Sequence, residues 1–158
     1  MKNISESKHR LSLDCYKGRV RITFTLCVKD RRQLFITKTL VDQFLAILKN
    51  TEEKYECINW AYLFMPAHLH LIMEGMSDRS DLWKMIVLFK QKTGFWLSQN
   101  APEIQWQKDF YDHIHRADDD LKKQIRYILE NPLRKKLVSD WKIYPFKGSL
   151  DFNLDEII

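Results

Sequence analysis

Hydrophobic and polar residues recur along the chain with two different periods, and these periods predict interleaved strands and helices. Side chains that alternate at every second residue, with many β-branched members, favour strands. Apolar residues spaced by three or four positions favour amphipathic helices. The predicted strands are residues 19–28, 58–65 and 68–74, with a bend at Pro66 and Ala67 between the last two. The predicted helices are residues 37–55, 81–100 and 121–130.

The order of these elements predicts the fold class. Helices that interleave with antiparallel strands indicate an α+β fold, and we expect a ferredoxin-like antiparallel sheet with helices packed mainly on one face. The strands at 58–65 and 68–74 should lie in the sheet interior. We expect residues 1–158 to form a single domain. Its less regular parts are expected to be a loose lead-in at 1–12, short strands at 104–107 and 110–114, a helical turn at 133–138, and an irregular tail at 145–158.

The composition is that of an ordinary globular domain with a mildly basic balance. Of the 158 residues, 45% are hydrophobic, which is enough for a substantial core. Only 4 Gly and 4 Pro are present, which excludes a linker or low-complexity protein. The net charge of +5 suits a polyanionic partner without requiring one.

The cysteines and the first residues of the chain indicate the cellular compartment. Cys15, Cys27 and Cys57 are odd in number and widely spaced, so they match neither a disulfide framework nor a zinc knuckle. The first ten residues are polar and charged, unlike a signal peptide. No apolar run reaches the roughly 18 residues of a membrane helix. We therefore expect a cytoplasmic protein with no membrane partner.

The triplet His68-Leu69-His70 is the first candidate for chemistry. Side chains alternate across a strand, so both imidazoles should share one face, with Cα atoms about 7 Å apart. Imidazole is a frequent metal ligand, and two rings so placed can tilt toward one ion. The alternative is a pair of histidines that face solvent or are satisfied within the core.

A polar flank on the third predicted helix is the second candidate. At 100° per residue, Tyr127 falls about 150° from the centre of the apolar side. Asn131 lies about 40° further round, and Gln124 is nearby. Tyr127 is then either an exposed ring without a role or a nucleophile presented to a substrate. The apolar side itself is formed by Leu121, Ile125, Ile128 and Leu129.

Three motifs resemble one family of DNA-processing proteins. Residues 65–70, Met-Pro-Ala-His-Leu-His, resemble the MPxHxH signature of the single-tyrosine HUH transposases, the IS200-like transposases. Residues 127–132, Tyr-Ile-Leu-Glu-Asn-Pro, resemble the YIxxNP helix of their REP-associated branch. Residues 106–113 resemble that branch's WQxxxxxH segment, and the motifs occur in the expected order.

Weaker matches extend this resemblance over roughly residues 16–150. The strand at Ile22-Thr-Phe, followed by Arg31 and Arg32, is similar to the opening of the family, and Tyr144-Pro-Phe also fits. Position 67 departs from the pattern, because the chain has Ala where the family commonly has Asn or another polar residue. That change removes a side chain beside the histidines and touches neither of them.

The resemblance implies a fold, a reaction and a set of residues. The family fold is an antiparallel sheet flanked by helices, with the histidines on a middle strand. The family reaction is cleavage and rejoining of single-stranded DNA, often at a hairpin, through a 5′-phosphotyrosine. Carried onto this chain, His68 and His70 become metal ligands, Asn131 a third ligand, and Tyr127 the nucleophile. The expected cofactor is a divalent metal ion, Mg²⁺ or Mn²⁺, and Mn²⁺ suits nitrogen ligands better.

The expected partner is single-stranded or hairpin DNA, and a homodimer is a further expectation. Basic side chains near the motifs are candidates for phosphate contacts, although charge runs are usually solvated surface. Trp106, Phe110 and Tyr111 could stack on unpaired bases, and we expect two of the three to be core instead. The candidate DNA-binding residues are Arg31, Arg32, Lys90, Lys122, Lys123, Arg126 and Arg134.

Three functions remain open at this stage. The first is a metal-dependent DNA transesterase with a tyrosine nucleophile. The second is a descendant that binds hairpin DNA without cutting it, and the third is a metal-dependent hydrolase. Tyr111, beside Asp112 and His113, is a rival nucleophile that ranks below Tyr127. His113 and His115 could join the metal site, but we expect them to be a pair of loop histidines.

Overall fold

The computed structural model describes residues 4–5, 12–116 and 118–158. Six strands and five α-helices are present in this part of the chain. No helix within it combines the length and the apolar composition needed to cross a membrane. The strands are β1 (Ile4–Ser5), β2 (Arg21–Cys27), β3 (Cys57–Met65), β4 (His68–Gly75), β5 (Tyr111–Ile114) and β6 (Lys147–Gly148). The helices are α1 (Lys38–Lys54), α2 (Leu82–Asn100), α3 (Leu121–Leu129), α4 (Asn131–Arg134) and α5 (Leu154–Ile157).

The six strands form one sheet in the order β1-β5-β2-β4-β3-β6, and each pair of neighbours is antiparallel. The β3–β4 hairpin occupies the interior, as predicted, and Met65 pairs with His68 across its two-residue bend. β2 lies between β4 and β5, so the strand with the histidine pair has β2 as its other neighbour. In this register Thr25 of β2 stands opposite His70 of β4 and Tyr111 of β5.

Helices α1 and α2 cover one face of the sheet. Thr37 and Asp81 cap them, each accepting a hydrogen bond from a backbone N–H three residues on. Their apolar sides meet Ile22, Phe24 and Leu26 of β2 in the main core. The rings of the core residues Phe35, Phe44 and Phe64 pack edge to face. The predicted α+β architecture is confirmed, with the two long helices on a single face.

Helix α3 lies on the opposite face. Its buried residues Ile125, Ile128 and Leu129 pack on Ala61 of β3 and Ile72 of β4 in a smaller apolar cluster. The apolar cluster is limited to this part of the face. Further along the same face, the side chains that β4, β2 and β5 present are polar. They include His68, His70, Thr25, Thr23, Tyr111 and His113.

Several of the less regular segments differ from expectation. Around 104–107 there is no strand but a single bridge between Trp106 and Val28. The tail contains β6, which pairs with Leu63 and Tyr62, and the short helix α5. The predicted lead-in at 1–12 lies outside the described residues except Ser12 and the two residues of β1.

The third helix ends one residue earlier than predicted. α3 ends at Leu129, and α4 begins at Asn131 with Pro132 in its first turn. A proline lacks an N–H and is tolerated at that position. The predicted helical turn at 133–138 is therefore replaced by one that starts two residues sooner.

Candidate active site

The histidine pair of β4 lies on the face that α3 partly covers. The ring centroids of His68 and His70 are 4.8 Å apart and the rings are nearly perpendicular, at 86°. Both side chains are half-buried. Leu69 between them is fully buried in the main core on the other face. The alternation expected from the triplet thus fixes both imidazoles on one surface.

His70 is held from both sides. Its Nδ1 lies 2.9 Å from the hydroxyl of Thr25, and its Nε2 lies 3.0 Å from the side-chain amide nitrogen of Asn131. Since the amide nitrogen donates, Nε2 carries the lone pair and Nδ1 donates to Thr25. Burial, with the nearby charges of His68 and Arg134, lowers the pKa of His70 to about 3. The imidazole is therefore neutral at neutral pH, as a metal ligand must be.

Asn131 supplies the observation that tests whether a metal would fit. Its amide oxygen is buried and has no hydrogen-bond partner within the described chain. A half-turn of the amide about its last bond exchanges the oxygen and nitrogen, and would direct that oxygen to the place that Nε2 of His70 also faces. Two imidazoles and one amide oxygen then converge, and a divalent cation such as Mn²⁺ accepts that donor set. The residues present fit the expected ion.

Tyr127 lies on the exposed side of α3, with 55% of its surface accessible. The helical wheel predicted this position, because α3 is regular from Leu121 to Leu129. The guanidinium carbon of Arg134 is 4.2 Å from the centre of the Tyr127 ring, a cation–π contact. Arg134 also donates to the Tyr127 backbone carbonyl at 2.5 Å. The arginine thus holds the tyrosine from both its ring and its backbone.

One cleft of about 460 Å³ brings the tyrosine and the metal-ligand candidates together. We call it the Tyr127 cleft. His68 lies in an adjoining cavity of about 700 Å³, and the two cavities share His70 and Asn131 as part of a common wall. The Tyr127 cleft is lined by Thr23, Thr25, His70, Tyr111, Asp112, His113, Tyr127, Ile128, Asn131, Arg134 and Lys135.

The basic residues predicted to contact DNA fall into four locations. Arg134 lines the Tyr127 cleft, and Arg31 lines the adjoining cavity. Arg32 and Lys90 donate instead to backbone carbonyls of residues 103–108, so they hold that loop. The remaining three, Lys122, Lys123 and Arg126, are exposed on α3 and border a separate small cavity beside the C-terminal Ile158.

Two of the three aromatic candidates belong to the core, as the sequence suggested. Phe110 is buried, and Trp106 is half-buried and donates its indole N–H to Thr93 at 2.8 Å. Both contribute to the main core. Tyr111, the rival nucleophile, is half-buried and lines the Tyr127 cleft. It therefore shares the site with Tyr127 but is less accessible.

Thr25 escaped the sequence reasoning, and one expectation was wrong. Thr25 lines both cavities, yet no motif marks it, whereas Lys135, which also lines both, belongs to the basic run that was a candidate for phosphate contacts. Thr25 could be found only through the strand register, which sequence periodicity does not fix. His113 and His115 are not a loop pair, because His113 belongs to β5 and His115 is buried directly after it. The backbone hydrogen bonds between β2 and β5 extend one residue beyond β5, to the backbone N–H of His115. This contact holds His115 against the sheet rather than in a loop.

Comparisons with known proteins place the chain in a family. The family model described as "Transposase IS200 like" matches residues 16–131. A REP-associated tyrosine transposase of Escherichia coli K12 is 32% identical over 129 residues, covering 78% of this chain and 74% of the relative. A Haemophilus influenzae protein, provisionally given the same name, is 27% identical over 138 residues, covering 79% of this chain and 77% of the relative.

A solved structure shows the same fold. It is a REP-associated tyrosine transposase bound to a REP hairpin, with a TM-score of 0.68 and 20% identity, and the match covers 90% of this chain and 82% of the other. The family match spans most of the chain, including both histidines, Tyr127 and Asn131. The chain belongs to the IS200-like transposase family, among the REP-associated tyrosine transposases.

Proposed function

We propose that this protein cleaves and rejoins single-stranded DNA at a hairpin, with Tyr127 as the nucleophile and a divalent metal ion held by His68, His70 and Asn131. One observation supports this proposal most directly. A single cleft is lined by the exposed Tyr127, by His70 and by Asn131, whose buried amide oxygen has no hydrogen-bond partner in the described chain. DNA as the partner is supported by the family and by the relative that is bound to a REP hairpin.

The cleft accounts for how the substrate would be held. A phosphodiester is an anion, and Arg134 and Lys135 place two cations on the wall of the Tyr127 cleft. Arg31 and Lys135 line the adjoining cavity and extend this positive surface past His68. We propose these three as the main phosphate contacts, because they line the two cavities of the site and Arg32 and Lys90 do not. Lys122, Lys123 and Arg126 would guide DNA along the outside of α3.

The reaction is a transesterification at phosphorus. The phenol oxygen of Tyr127, after losing its proton, forms a bond to the phosphorus, and the bond from phosphorus to the 3′-oxygen breaks. The leaving oxygen takes up a proton and becomes a 3′-hydroxyl, while the 5′-phosphate stays on the tyrosine. A 3′-hydroxyl of another DNA end can reverse the step, since the covalent link conserves the bond.

Each residue has a defined part in that step. A divalent cation bound at the site would neutralise charge on a non-bridging phosphate oxygen and fix its position. Thr25 contacts Nδ1 of His70 and so orients the ring with Nε2 free to act as a ligand. Arg134 stacks on the Tyr127 ring and limits the directions in which the phenol can point.

One chain supplies every residue of this proposal. Tyr127, His70 and Asn131 of the same molecule share the cleft, so cleavage does not require a second subunit. The expected homodimer stays a prediction, which sedimentation with and without hairpin DNA would test.

A denaturing gel tests the proposal directly. The protein is incubated with hairpin-bearing single-stranded DNA labelled at its 3′ end, which stays with the phosphotyrosine, and with Mn²⁺, next to Tyr127→Phe and Tyr111→Phe. We expect a covalent adduct that is lost in Tyr127→Phe and kept in Tyr111→Phe. Adduct that survives Tyr127→Phe would overturn the assignment of the nucleophile. Hairpin binding without any cleavage would instead support the non-catalytic alternative, and cleavage without an adduct would support the hydrolase.

A further inference from the structure

A second histidine pair lies on the same face of the sheet as His68 and His70. His113 belongs to β5 and pairs with Thr23 of β2, and His115 follows two residues later. The ring centroids of His113 and His115 are 5.1 Å apart at an angle of 81°. This spacing and angle are close to those of the first pair. The two pairs thus share one geometry on neighbouring parts of one surface.

The second pair also has the hydroxyl support seen in the first. The hydroxyl of Thr23 lies 2.6 Å from His115 Nε2, just as the hydroxyl of Thr25 contacts His70. When Nε2 donates to that hydroxyl, Nδ1 of His115 carries the lone pair. Nδ1 is buried and has no hydrogen-bond partner in the described part of the chain, and the side chain is fully shielded from solvent. A buried ring nitrogen of this kind is costly unless something binds it.

An acidic side chain completes the set. Asp119 Oδ2 lies 3.9 Å from His115 Nδ1, and ligand atoms of His113, His115 and Asp119 all lie within 4.8 Å of one another. The backbone N–H of Arg116 donates to Asp119 at 2.8 Å and holds the carboxylate in the loop before α3. Ligand atoms on one transition metal are roughly 3–4 Å apart, given bonds of about 2.0–2.2 Å. A shift of about 1 Å in this loop would bring the three ligand atoms to the spacing that one metal ion requires.

We propose that His113, His115 and Asp119 form a second divalent-metal site, separate from the His68, His70 and Asn131 site. Two imidazoles and one carboxylate suit Zn²⁺ and related transition metals, with a position left open for water or a ligand. Arg21, whose backbone carbonyl accepts the His115 amide, pairs with Glu74 at 3.3 Å. This ion pair reduces the repulsion that the arginine would exert on a bound cation.

The position of the site determines what it can do. His113 is two strands and two residues away from His70, about 12 Å at the level of the Cα atoms. Two-metal phosphoryl-transfer sites hold their ions about 3.5–4 Å apart, well below this Cα separation, so we assign the second ion a structural part rather than a part in the chemical step. An ion here would instead tie β5 to the loop that enters α3. The helix that carries Tyr127 would then be anchored at its start.

The test counts zinc equivalents bound by the full-length protein after treatment with a chelator. Zn²⁺ alone is titrated by calorimetry into wild type, His68→Ala/His70→Ala and Asp119→Asn, and Asp118→Asn is the matched control. We expect two equivalents for wild type and for the control. The double histidine variant should keep one equivalent. Asp119→Asn should lose one equivalent or bind it at least tenfold more weakly.

Two further measurements keep the test decisive if a variant folds poorly. Circular dichroism melts of each variant show which ones are folded, and a folded Asp119→Asn alone suffices for the comparison with Asp118→Asn. Co²⁺ in place of Zn²⁺ gives a visible absorption band that reports nitrogen and oxygen ligation. Equal zinc binding by Asp119→Asn and Asp118→Asn would overturn the proposal. So would a double histidine variant that is folded but binds no zinc.

Discussion

The contact between Thr25 and His70 gives the sharpest prediction, because its loss should weaken the proposed metal site and leave the sheet folded. Thr25→Val replaces a hydroxyl by a methyl group of similar size and removes the 2.9 Å contact to His70 Nδ1. Thr25 is half-buried on the central strand β2, and valine is well suited to a strand. The substitution should therefore leave the sheet intact and free the imidazole to change its tilt or tautomer.

The expected size follows from the contact that is lost. A hydrogen bond of this kind contributes about 0.5–1.5 kcal/mol net. Removing a partner that orients a metal ligand costs about 10–100-fold in metal affinity, and tenfold corresponds to about 1.4 kcal/mol. The two figures overlap near tenfold. We therefore expect the Mn²⁺ concentration for half-maximal adduct formation to rise about tenfold, with little change in the rate at saturating Mn²⁺.

The chain offers a matched control for this experiment. Thr25→Ser loses only a methyl group and keeps the hydroxyl that contacts His70 Nδ1. Adduct formation on labelled hairpin DNA is measured across a Mn²⁺ series for both variants and for wild type. Thr25→Ser should keep the Mn²⁺ midpoint of wild type. An unchanged midpoint in Thr25→Val, or an equal shift in both variants, would refute the role assigned to Thr25.

Three other changes test the core, a buried acid and the tyrosine clamp. Phe44→Ala removes a fully buried ring from the main core and should lower the free energy of unfolding by about 3–5 kcal/mol in urea titrations. Burial raises the pKa of Glu52 from 4.5 to about 8 despite its contact with Lys49. The folded protein then holds a proton that the unfolded chain releases, so stability falls as pH rises from 4.5 to about 8; Glu52→Gln should flatten this fall in melting temperature. Arg134→Lys keeps the charge but loses the stacked guanidinium, worth about 0.5–1 kcal/mol at an exposed site, and single-turnover adduct formation should slow about two- to fivefold.

The parts of the site that depend on local periodicity were predictable from the sequence. Alternation along β4 put His68 and His70 on one face, and helical spacing put Tyr127 on the exposed side of α3. Both inferences need only the geometry of one regular element. The N-cap positions of α1 and α3 hold Thr37 and Asp120, which are residue types that favour helix starts.

Asn131 shows where that reasoning ended. A continuous helix would point its side chain away from the apolar side, into solvent. The structure ends α3 at Leu129 and starts α4 at Asn131, and the Asn131 amide contacts His70. Only the family resemblance placed this residue beside the histidines. The sequence also could not show which basic residues line the site. No pattern distinguishes Lys90, which holds a loop, from Arg134, which lines the cleft.

Strand β2 explains why the fold and the site cannot be separated. Its residues alternate between Ile22, Phe24 and Leu26, which are fully buried in the main core, and Thr23 and Thr25, which contact histidines. A slip of one residue in its pairing with β4 would move every side chain of β2 to the opposite face. Phenylalanine would then face the imidazoles, and hydroxyl groups would be buried beneath α1 and α2 without partners. The core thus enforces the register, and the register supplies the hydroxyl that orients His70.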